Sequence, residues 1–157
     1  MVLTASNIDI RDFCGSDLEA VLKIERSVQV NPWSRLSFEQ SLTQKHLCRV
    51  VEHEQQILAF HIVSPVLDEL HILNLAVALD QQGVGLGHVL IDDILEQAKI
   101  AKTAKIFLEV RETNVAAQGL YLKWQFRQIA VRKNYYRCTD GGRENALVMV
   151  RKLTSSD

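Results

Sequence analysis

A short run of glycines separates a predicted strand from a predicted amphipathic helix. Its sequence is Gln82-Gly83-Val84-Gly85-Leu86-Gly87-His88. Glycine allows the backbone to approach a ligand closely, and the free amides and dipole of a helix that begins here favour an anion. The run therefore suits the binding of a phosphate group, although the same glycines would also allow a strand and a helix to pack tightly together.

Three phosphate-binding templates can be compared with this run. The Walker A loop fails because it needs a lysine that the run lacks. The dinucleotide fingerprint G-x-G-x-x-G begins at Gly83-x-Gly85, but His88 stands in the place of its last glycine. Glu109 follows near the end of the next strand, where a ribose-binding acid would lie. That alternative stays open, although 157 residues leave little room for a doubly wound sheet and a substrate domain.

Two further side chains stand out beyond the glycine run. Glu109 is the only charged residue within the apolar segment 106–110. A buried carboxylate is costly without a partner, so Glu109 is either satisfied by Arg111 or solvent at a strand end, or kept for a function. Tyr121 follows Asn114 by seven residues, about two helical turns, so both would lie on one side of a helix. From spacing alone, Asn114 fits a helix N-cap and Tyr121 fits a core aromatic.

Hydrophobic periodicity predicts the elements that position these residues. Strands are predicted at residues 8–11, 48–52, 57–63, 70–77, 106–110, 126–133 and 146–153. Helices are predicted after capping boxes at Ser16 and Ser37, from about Gly85, and from Asn114 through Tyr121. The pattern indicates a mixed α/β fold: a central sheet with antiparallel hairpins early and late, and one strand–helix–strand crossover in the middle.

The composition fits one domain spanning residues 1–157, because a chain of this length can bury a core of its own. Lys and Arg total 18 against 19 Asp and Glu, so the chain lacks the basic excess of proteins that bind nucleic acid through its phosphates. No apolar run is long enough to span a bilayer. Direct partners among nucleic acids and membranes are therefore not expected.

Cysteine and histidine spacing argues against disulfide and metal sites. Cys14, Cys48 and Cys138 are odd in number and far apart, which favours a reducing compartment, the cytoplasm. The five histidines show no spacing typical of metal ligands, and His71, within an apolar segment, fits a satisfied core position. The sequence predicts no metal site.

The glycine run also satisfies a third template, Q/R-x-x-G-x-G/A, through Gln82-x-x-Gly85-x-Gly87. With it, the chain resembles the GNAT superfamily of acetyl-CoA-dependent N-acetyltransferases, and within it the bacterial ribosomal-protein alanine N-acetyltransferases of the RimI type. Further segments that carry the resemblance are 31–34, 108–117, 120–121, 132–137 and 144–149. The likeness runs from about residue 8 to 153. It implies a GNAT fold, in which helices flank a mostly antiparallel sheet with a splayed pair of parallel strands.

The resemblance also implies a chemistry. Glu109 would be the general base that frees an amine, directly or through one water, and Tyr121 the general acid that protonates the departing CoA thiolate. The oxyanion formed at the thioester carbonyl would be stabilised by backbone amides of Leu75, Ala76 and Val77. No covalent enzyme intermediate is required.

Acetyl-CoA is the implied cosubstrate, with no metal. Its pyrophosphate would be held by Gln82, Gly83, Val84, Gly85, Leu86, Gly87 and His88. Asn114 would be a further contact and Lys123 a distant phosphate contact. Gly83 stands where relatives often carry Arg, and no Lys or Arg occurs between Asn74 and Ala98. Pyrophosphate binding would therefore depend on amides and the helix dipole.

The implied acceptor is a protein N-terminus, namely the N-terminal alanine of a small-subunit ribosomal protein. In the family, the groove for it is flanked by the positions of Pro32, Trp33, Asn134, Tyr135 and Tyr136. Glu25 or Asp68-Glu69 could attract a basic peptide to it. Gln125 and Asn145 replace a family Gly and a common Asp. Two alternatives are a GNAT that acetylates a small amine or a lysine side chain, and a non-catalytic CoA- or nucleotide-binding module.

Overall fold

The computed structural model describes residues 7–154, which contain seven strands and four α-helices. The strands are β1 Asp9–Asp12, β2 Leu47–His53, β3 Gln56–Val66, β4 Glu69–Val77, β5 Lys105–Arg111, β6 Arg127–Arg137 and β7 Arg143–Lys152. The helices are α1 Leu18–Val28, α2 Arg35–Thr43, α3 Leu86–Ile100 and α4 Val115–Lys123. Each predicted strand is present, with ends displaced by a few residues. In this part of the chain, no helix has the length and apolar character needed to cross a membrane.

The seven strands form one sheet in the order β1-β2-β3-β4-β5-β7-β6. Every neighbouring pair is antiparallel except β4 and β5, which are parallel and joined through α3. The predicted mixed sheet with early and late hairpins and one crossover is therefore confirmed. A doubly wound dinucleotide-binding sheet would be mostly parallel, so the antiparallel pairing seen here excludes that alternative.

Helices cover the two faces of the sheet. Both α1 and α3 pack on β3 and β4, and they do so in separate clusters of buried side chains. Phe38 of α2 and Phe60 of β3 lie in the α1 cluster, with ring centroids 5.7 Å apart. The predicted inward stripe of α3 is confirmed, since Leu90, Ile91, Ile94, Leu95 and Ala98 are all buried. Burial of each large apolar side chain contributes about 1.5–3 kcal/mol, which fixes both helices on the sheet.

The parallel pair separates part-way along its length. Pairing joins only residues 69–72 of β4 to residues 105–108 of β5. Beyond this point β4 stays on β3 as far as Val77, while β5 stays on β7 as far as Arg111. Leu73 is an extra residue in β4 at the point of separation, because Ile72 and Asn74 face consecutive residues of β3. Such a bulge bends a strand and increases its twist, which opens a wedge between the two strands.

The predicted capping box at Ser16 is wrong. Gly15–Asp17 forms a 3₁₀ turn, and α1 begins only at Leu18. The carboxylate that satisfies a free amide is that of Asp17, whose Oδ2 accepts a hydrogen bond from the Cys14 amide at 2.9 Å. Cys14 is the N-cap of this turn, so the carboxylate of Asp17 caps the turn that precedes α1.

The predicted start of α2 at Ser37 is also wrong, by three residues. Ser34 is the N-cap, and its hydroxyl accepts a hydrogen bond from the Ser37 amide at 3.2 Å. Both serines are competent caps, and the chain is already helical from Arg35, so the first of the two caps the helix.

Candidate active site

The glycine run connects the separated end of β4 to α3. Gly83 and Gly85 have φ angles of 82° and 94°, in the left-handed region that favours glycine. Gly85 is the N-cap of α3, and a Cβ added at either glycine would meet open space. The Gln82 side chain donates a hydrogen bond to the Val77 carbonyl at 3.2 Å, which ties the run to the end of β4. The first amides of α3 lack helical acceptors, so they suit the pyrophosphate of acetyl-CoA.

Helix α4 lies beside the start of α3. A Cβ on Gly87 would come 3.1 Å from Leu120 Cδ2, so this glycine allows the two helices to approach closely. Asn114 is the N-cap of α4, as predicted, and its Oδ1 accepts a hydrogen bond from the Ala117 amide at 3.2 Å. This cap fixes the first turn of α4, about two turns before Tyr121.

The end of α4 is closed by a Schellman motif. The Phe126 amide donates to the Tyr121 carbonyl and the Gln125 amide to the Leu122 carbonyl, both at 3.0 Å. The rings of Tyr121 and Phe126 pack with centroids 5.7 Å apart. Gln125 has φ 68° at the position where glycine is usual. The turn therefore forms without the glycine, at the cost of a strained residue.

A cleft of about 240 Å³ opens where β4 and β5 separate. Six of the predicted site residues line it: Glu109, Tyr121, Leu75, Asn114, Trp33 and Tyr136. The edge of β4 that faces β5 is unpaired from Leu73 onward, so its backbone groups are open to the cleft. The cleft thus brings together a carboxylate, a phenol and free main-chain groups.

Glu109 is held by a histidine and faces an arginine. Its side chain is 8% exposed, and its Oε2 accepts a hydrogen bond from His71 Nε2 at 2.5 Å. Arg132 lies 3.5 Å from the other carboxylate oxygen. Burial raises the pKa of Glu109, but the interactions with His71 and Arg132 outweigh it, and the pKa falls below the ordinary value. Glu109 is therefore ionised at neutral pH.

His71 is a site residue that the sequence reading missed. Its ring stacks on Phe107, with centroids 4.4 Å apart, instead of lying in the core. The available signal was the predicted adjacency of the two apolar strands, because a parallel register brings His71 beside Phe107, two residues before Glu109.

Tyr121 lines the cleft from α4. It is buried, and burial raises its pKa to about 12. A phenol with this pKa keeps its proton throughout the neutral range, so it can donate the proton to a developing anion.

The remaining wall of the cleft comes from the α1–α2 connection and the β6–β7 hairpin. Asn31 Nδ2 donates a hydrogen bond to the Arg137 carbonyl at 2.8 Å, which links the two. The Arg111 guanidinium lies 4.5 Å from the Tyr136 ring centroid and is paired with Glu144 at 2.6 Å. Burial and the nearby Glu109 carboxylate raise the pKa of Tyr136.

Other predicted residues lie outside this cleft. Pro32, Asn134 and Tyr135 are exposed at its margin. Ala76 and Val77 continue the unpaired edge of β4, with Ala76 packed in the α1 cluster.

Two of the residues predicted to contact acetyl-CoA line a different cavity. His88 and Lys123 line a second cavity of about 550 Å³, where Trp124 Nε1 donates a hydrogen bond to His88 Nδ1 at 2.9 Å. Asp68-Glu69 is at the far end of β4, where Glu69 lies 3.5 Å from Lys105. Within residues 7–154, no group of three or more His, Cys, Asp or Glu side chains is placed to hold a metal ion.

Residues 18–126 match the model of the acetyltransferase (GNAT) family. The chain belongs to the GNAT family. It is 37% identical over 133 residues to the [ribosomal protein bS18]-alanine N-acetyltransferase of Haemophilus influenzae, covering 85% of this chain and 90% of that protein. It is 36% identical over 139 residues to the protein of the same name from Escherichia coli K12, covering 88% and 93%.

The solved structures agree with these relatives. The crystal structure of the ribosomal-protein-S18-alanine N-acetyltransferase from Escherichia coli superposes with a TM-score of 0.89, at 33% identity and 96% coverage of both chains. The GNAT fold and the RimI-type resemblance are thus confirmed, and the chain is an N-acetyltransferase. GNAT acetyltransferases use acetyl-CoA, and the open glycine run suits this donor.

Proposed function

We propose that this chain, as one domain over residues 1–157, transfers acetyl from acetyl-CoA to a protein N-terminal amine. The acceptor that we propose is the N-terminal alanine of a small-subunit ribosomal protein, for which the names of the relatives offer bS18. The observation that carries the proposal is that a buried carboxylate, Glu109, and a buried phenol, Tyr121, line one cleft beside the unpaired edge of β4. Ribosomal proteins are made in the cytoplasm, which is therefore the compartment that we propose.

The donor would be held mainly by main-chain groups. The amides from Gln82 to His88 surround the start of α3, and the open space at Gly83 and Gly85 leaves room for the pyrophosphate. Asn114 lines the cleft and Lys123 lines the second cavity, so they would contact other parts of the donor. Acetyl-CoA supplies the activated acetyl group. The chain supplies its orientation.

Glu109 would act as the general base. The α-amine of a peptide has an ordinary pKa of about 7.7–8.0, so part of it is neutral near neutral pH, and a base is needed only for the proton released as the nitrogen bonds to carbon. The ionised carboxylate takes the proton directly or through one water. His71 holds Oε2, which leaves Oε1 as the oxygen that faces the incoming proton.

Main-chain amides and Tyr121 would complete the transfer. As the amine nitrogen bonds to the thioester carbon, negative charge develops on the carbonyl oxygen, where amides of Leu75, Ala76 or Val77 stabilise it. The carbon–sulfur bond then breaks, and the Tyr121 hydroxyl gives its proton to the departing sulfur. The amine enters neutral, and its nitrogen loses one proton to Glu109 as the new bond forms. Glu109 then gives up that proton and the Tyr121 phenolate regains one, through solvent, which restores both side chains.

The acceptor would enter between the α1–α2 connection and the β6–β7 hairpin. Trp33 and Tyr136 line the cleft there, while Pro32, Asn134 and Tyr135 lie at its margin. A free N-terminus is narrow enough to reach Glu109 in a cleft of about 240 Å³.

Mass spectrometry of acetylated products tests the proposal. The purified enzyme and acetyl-CoA are given a peptide that begins with alanine, the same peptide with a blocked N-terminus and an internal lysine, and a polyamine panel. We expect acetylation of the free N-terminus alone. Preferred acetylation of lysine or a polyamine would replace the proposed acceptor, and donor binding without transfer to any amine would contradict the proposed activity.

A further inference from the structure

Glu25 is a buried carboxylate in the wall of the cleft. Its residue is 1% exposed, and it lies near the end of α1. None of the ion pairs within residues 7–154 includes it, unlike the buried Asp17 and Asp93. Burial raises the pKa of this carboxyl, and hydrogen bonds from the protein offset part of that effect.

The partners of Glu25 connect two parts of the cleft that are far apart in sequence. Its Oε2 accepts a hydrogen bond from the Trp33 amide at 2.9 Å and another from Asn74 Nδ2 at 3.0 Å. Asn74 directly follows the bulge in β4, and its Oδ1 accepts from Gln29 Nε2 at 3.1 Å. Residues 29–34, here called the acceptor loop, are thereby joined to the point where the strands separate.

The acceptor loop has two other attachments. Asn31 bonds to the Arg137 carbonyl of β6, and the Trp33 ring packs on Phe38 with centroids 5.2 Å apart. Asn31 and Trp33 both line the cleft. Displacement of the loop would therefore alter the acceptor half of the cleft and leave the glycine run in place.

We propose that Glu25 is a positioning residue for the acceptor: its carboxylate holds the acceptor loop against the bulge of β4. It acts through hydrogen bonds from the Trp33 amide and Asn74, and not by attracting a charged peptide. This inference rests on the proposed function, because it assigns the loop to the acceptor.

Two variants separate the hydrogen bonds from the charge. Glu25→Leu removes both acceptor oxygens, so the two donors lose their shared partner, and we expect the KM for an Ala-initiated peptide to rise about tenfold. The KM for acetyl-CoA should stay within about twofold, since the glycine run does not line this cleft. Glu25→Gln keeps an oxygen in the same place, and we expect all constants to stay within about threefold of the wild type.

Asp17→Asn is the matched control. Asp17 is a buried carboxylate that precedes the same helix and pairs with Arg11 at 2.8 Å, outside the cleft. Its variant should lower the melting temperature without changing the peptide KM. Equal peptide KM increases in Glu25→Leu and Glu25→Gln would show that charge attracts the acceptor, which overturns the proposal. A fall in melting temperature with an unchanged peptide KM in Glu25→Leu would overturn it as well.

Hydrogen exchange gives a readout that does not depend on activity. We expect the Trp33 amide to be protected in the wild type and in Glu25→Gln, and to exchange at least about tenfold faster in Glu25→Leu. If the wild type transfers acetyl to no peptide, the proposed function fails, and this measurement still tests the attachment. Unchanged exchange at Trp33 in Glu25→Leu would overturn the positioning role by itself.

Discussion

At two places in the described part of the chain, a histidine and an arginine lie against one carboxylate. In the core cluster, His61 Nε2 lies 2.8 Å from Asp93 Oδ2, and Arg49 bonds to both oxygens of Asp93 at 3.1 Å. In the cleft cluster, His71 bonds to Glu109 and Arg132 lies 3.5 Å from it. Both carboxylates are mostly buried, and in both the neighbouring groups lower the pKa.

The difference lies in what surrounds the second carboxylate oxygen. Both oxygens of Asp93 are engaged by the protein, and His61 is fully buried. Glu109 has one oxygen held by His71, and its other oxygen faces a cleft and the half-exposed Arg132. The same groups therefore stabilise the fold where they are saturated, and remain available for proton transfer where they are not.

The largest expected effect is that of Glu109→Gln. It removes the proton acceptor while it keeps the size of the side chain, so kcat/KM should fall by about 10²–10⁴. The free energy of unfolding should change little, because His71 and Arg132 remain partly exposed. Steady-state kinetics and urea unfolding measure the two quantities, and undiminished turnover would remove Glu109 from the mechanism.

The equivalent change in the core cluster should lower the stability of the fold and leave the activity of the folded enzyme unchanged. Asp93→Asn leaves Arg49 and His61 without their buried partner, which costs about 3–5 kcal/mol of unfolding free energy. The folded fraction should keep its kcat, because none of the three residues lines the cleft. Urea unfolding at several temperatures, with activity normalised to folded protein, checks this. If Asp93→Asn lost activity but kept its full stability, the core cluster would not be purely structural, which contradicts the prediction.

Tyr121→Phe separates packing from proton donation in the cleft. The ring still packs on Phe126, so stability should change by less than about 1 kcal/mol, while kcat falls about a hundredfold. The KM for acetyl-CoA should stay nearly constant. A variant that loses stability but not kcat would make Tyr121 a core aromatic alone.

The pH dependence of kcat/KM should follow the acceptor and not Glu109. The pKa of Glu109 is below its ordinary value, so the carboxylate stays ionised as the pH falls through the neutral range. The peptide amine, with a pKa of about 7.7–8.0, is protonated first, and kcat/KM should drop about tenfold per pH unit below it. The pKa taken from the acidic limb of this pH profile should match the pKa of the peptide amine measured by NMR. An acidic limb near pH 6.5 or below pH 5 would indicate that a group of the enzyme, and not the peptide amine, controls kcat/KM.

The smallest expected effect is a gain in stability at the end of α4. Gln125 adopts a left-handed conformation that costs a non-glycine residue about 1–2 kcal/mol. Gln125→Gly should therefore raise the unfolding free energy by about 1 kcal/mol with both clusters intact. Thermal unfolding measures the gain. A loss of stability would indicate that contacts of the Gln125 side chain outweigh the strain.

Sequence patterns predicted the strands and the inward face of α3 because periodic burial is a local property. They also singled out Glu109, whose charge interrupts an apolar strand. They missed the contact of His71 with Glu109, and they took Glu25 as a group that attracts a basic peptide without its contact with Asn74. Both contacts depend on pairing or packing between distant segments. The helix starts failed for a different reason: Ser34 and Ser37 are equally competent caps, and only the path of the chain decides between them.

The wedge between β4 and β5 offers main-chain groups to one of the two proposed ligands and side chains to the other. The donor half that we propose consists of main-chain amides of the glycine run and of the free β4 edge, which no substitution except proline can delete. The acceptor half that we propose is lined by side chains such as Trp33 and Tyr136. Single-residue changes can therefore retune which amine is accepted while the source of the acetyl group stays the same, so a scaffold of this kind lends itself to new acceptors through few mutations.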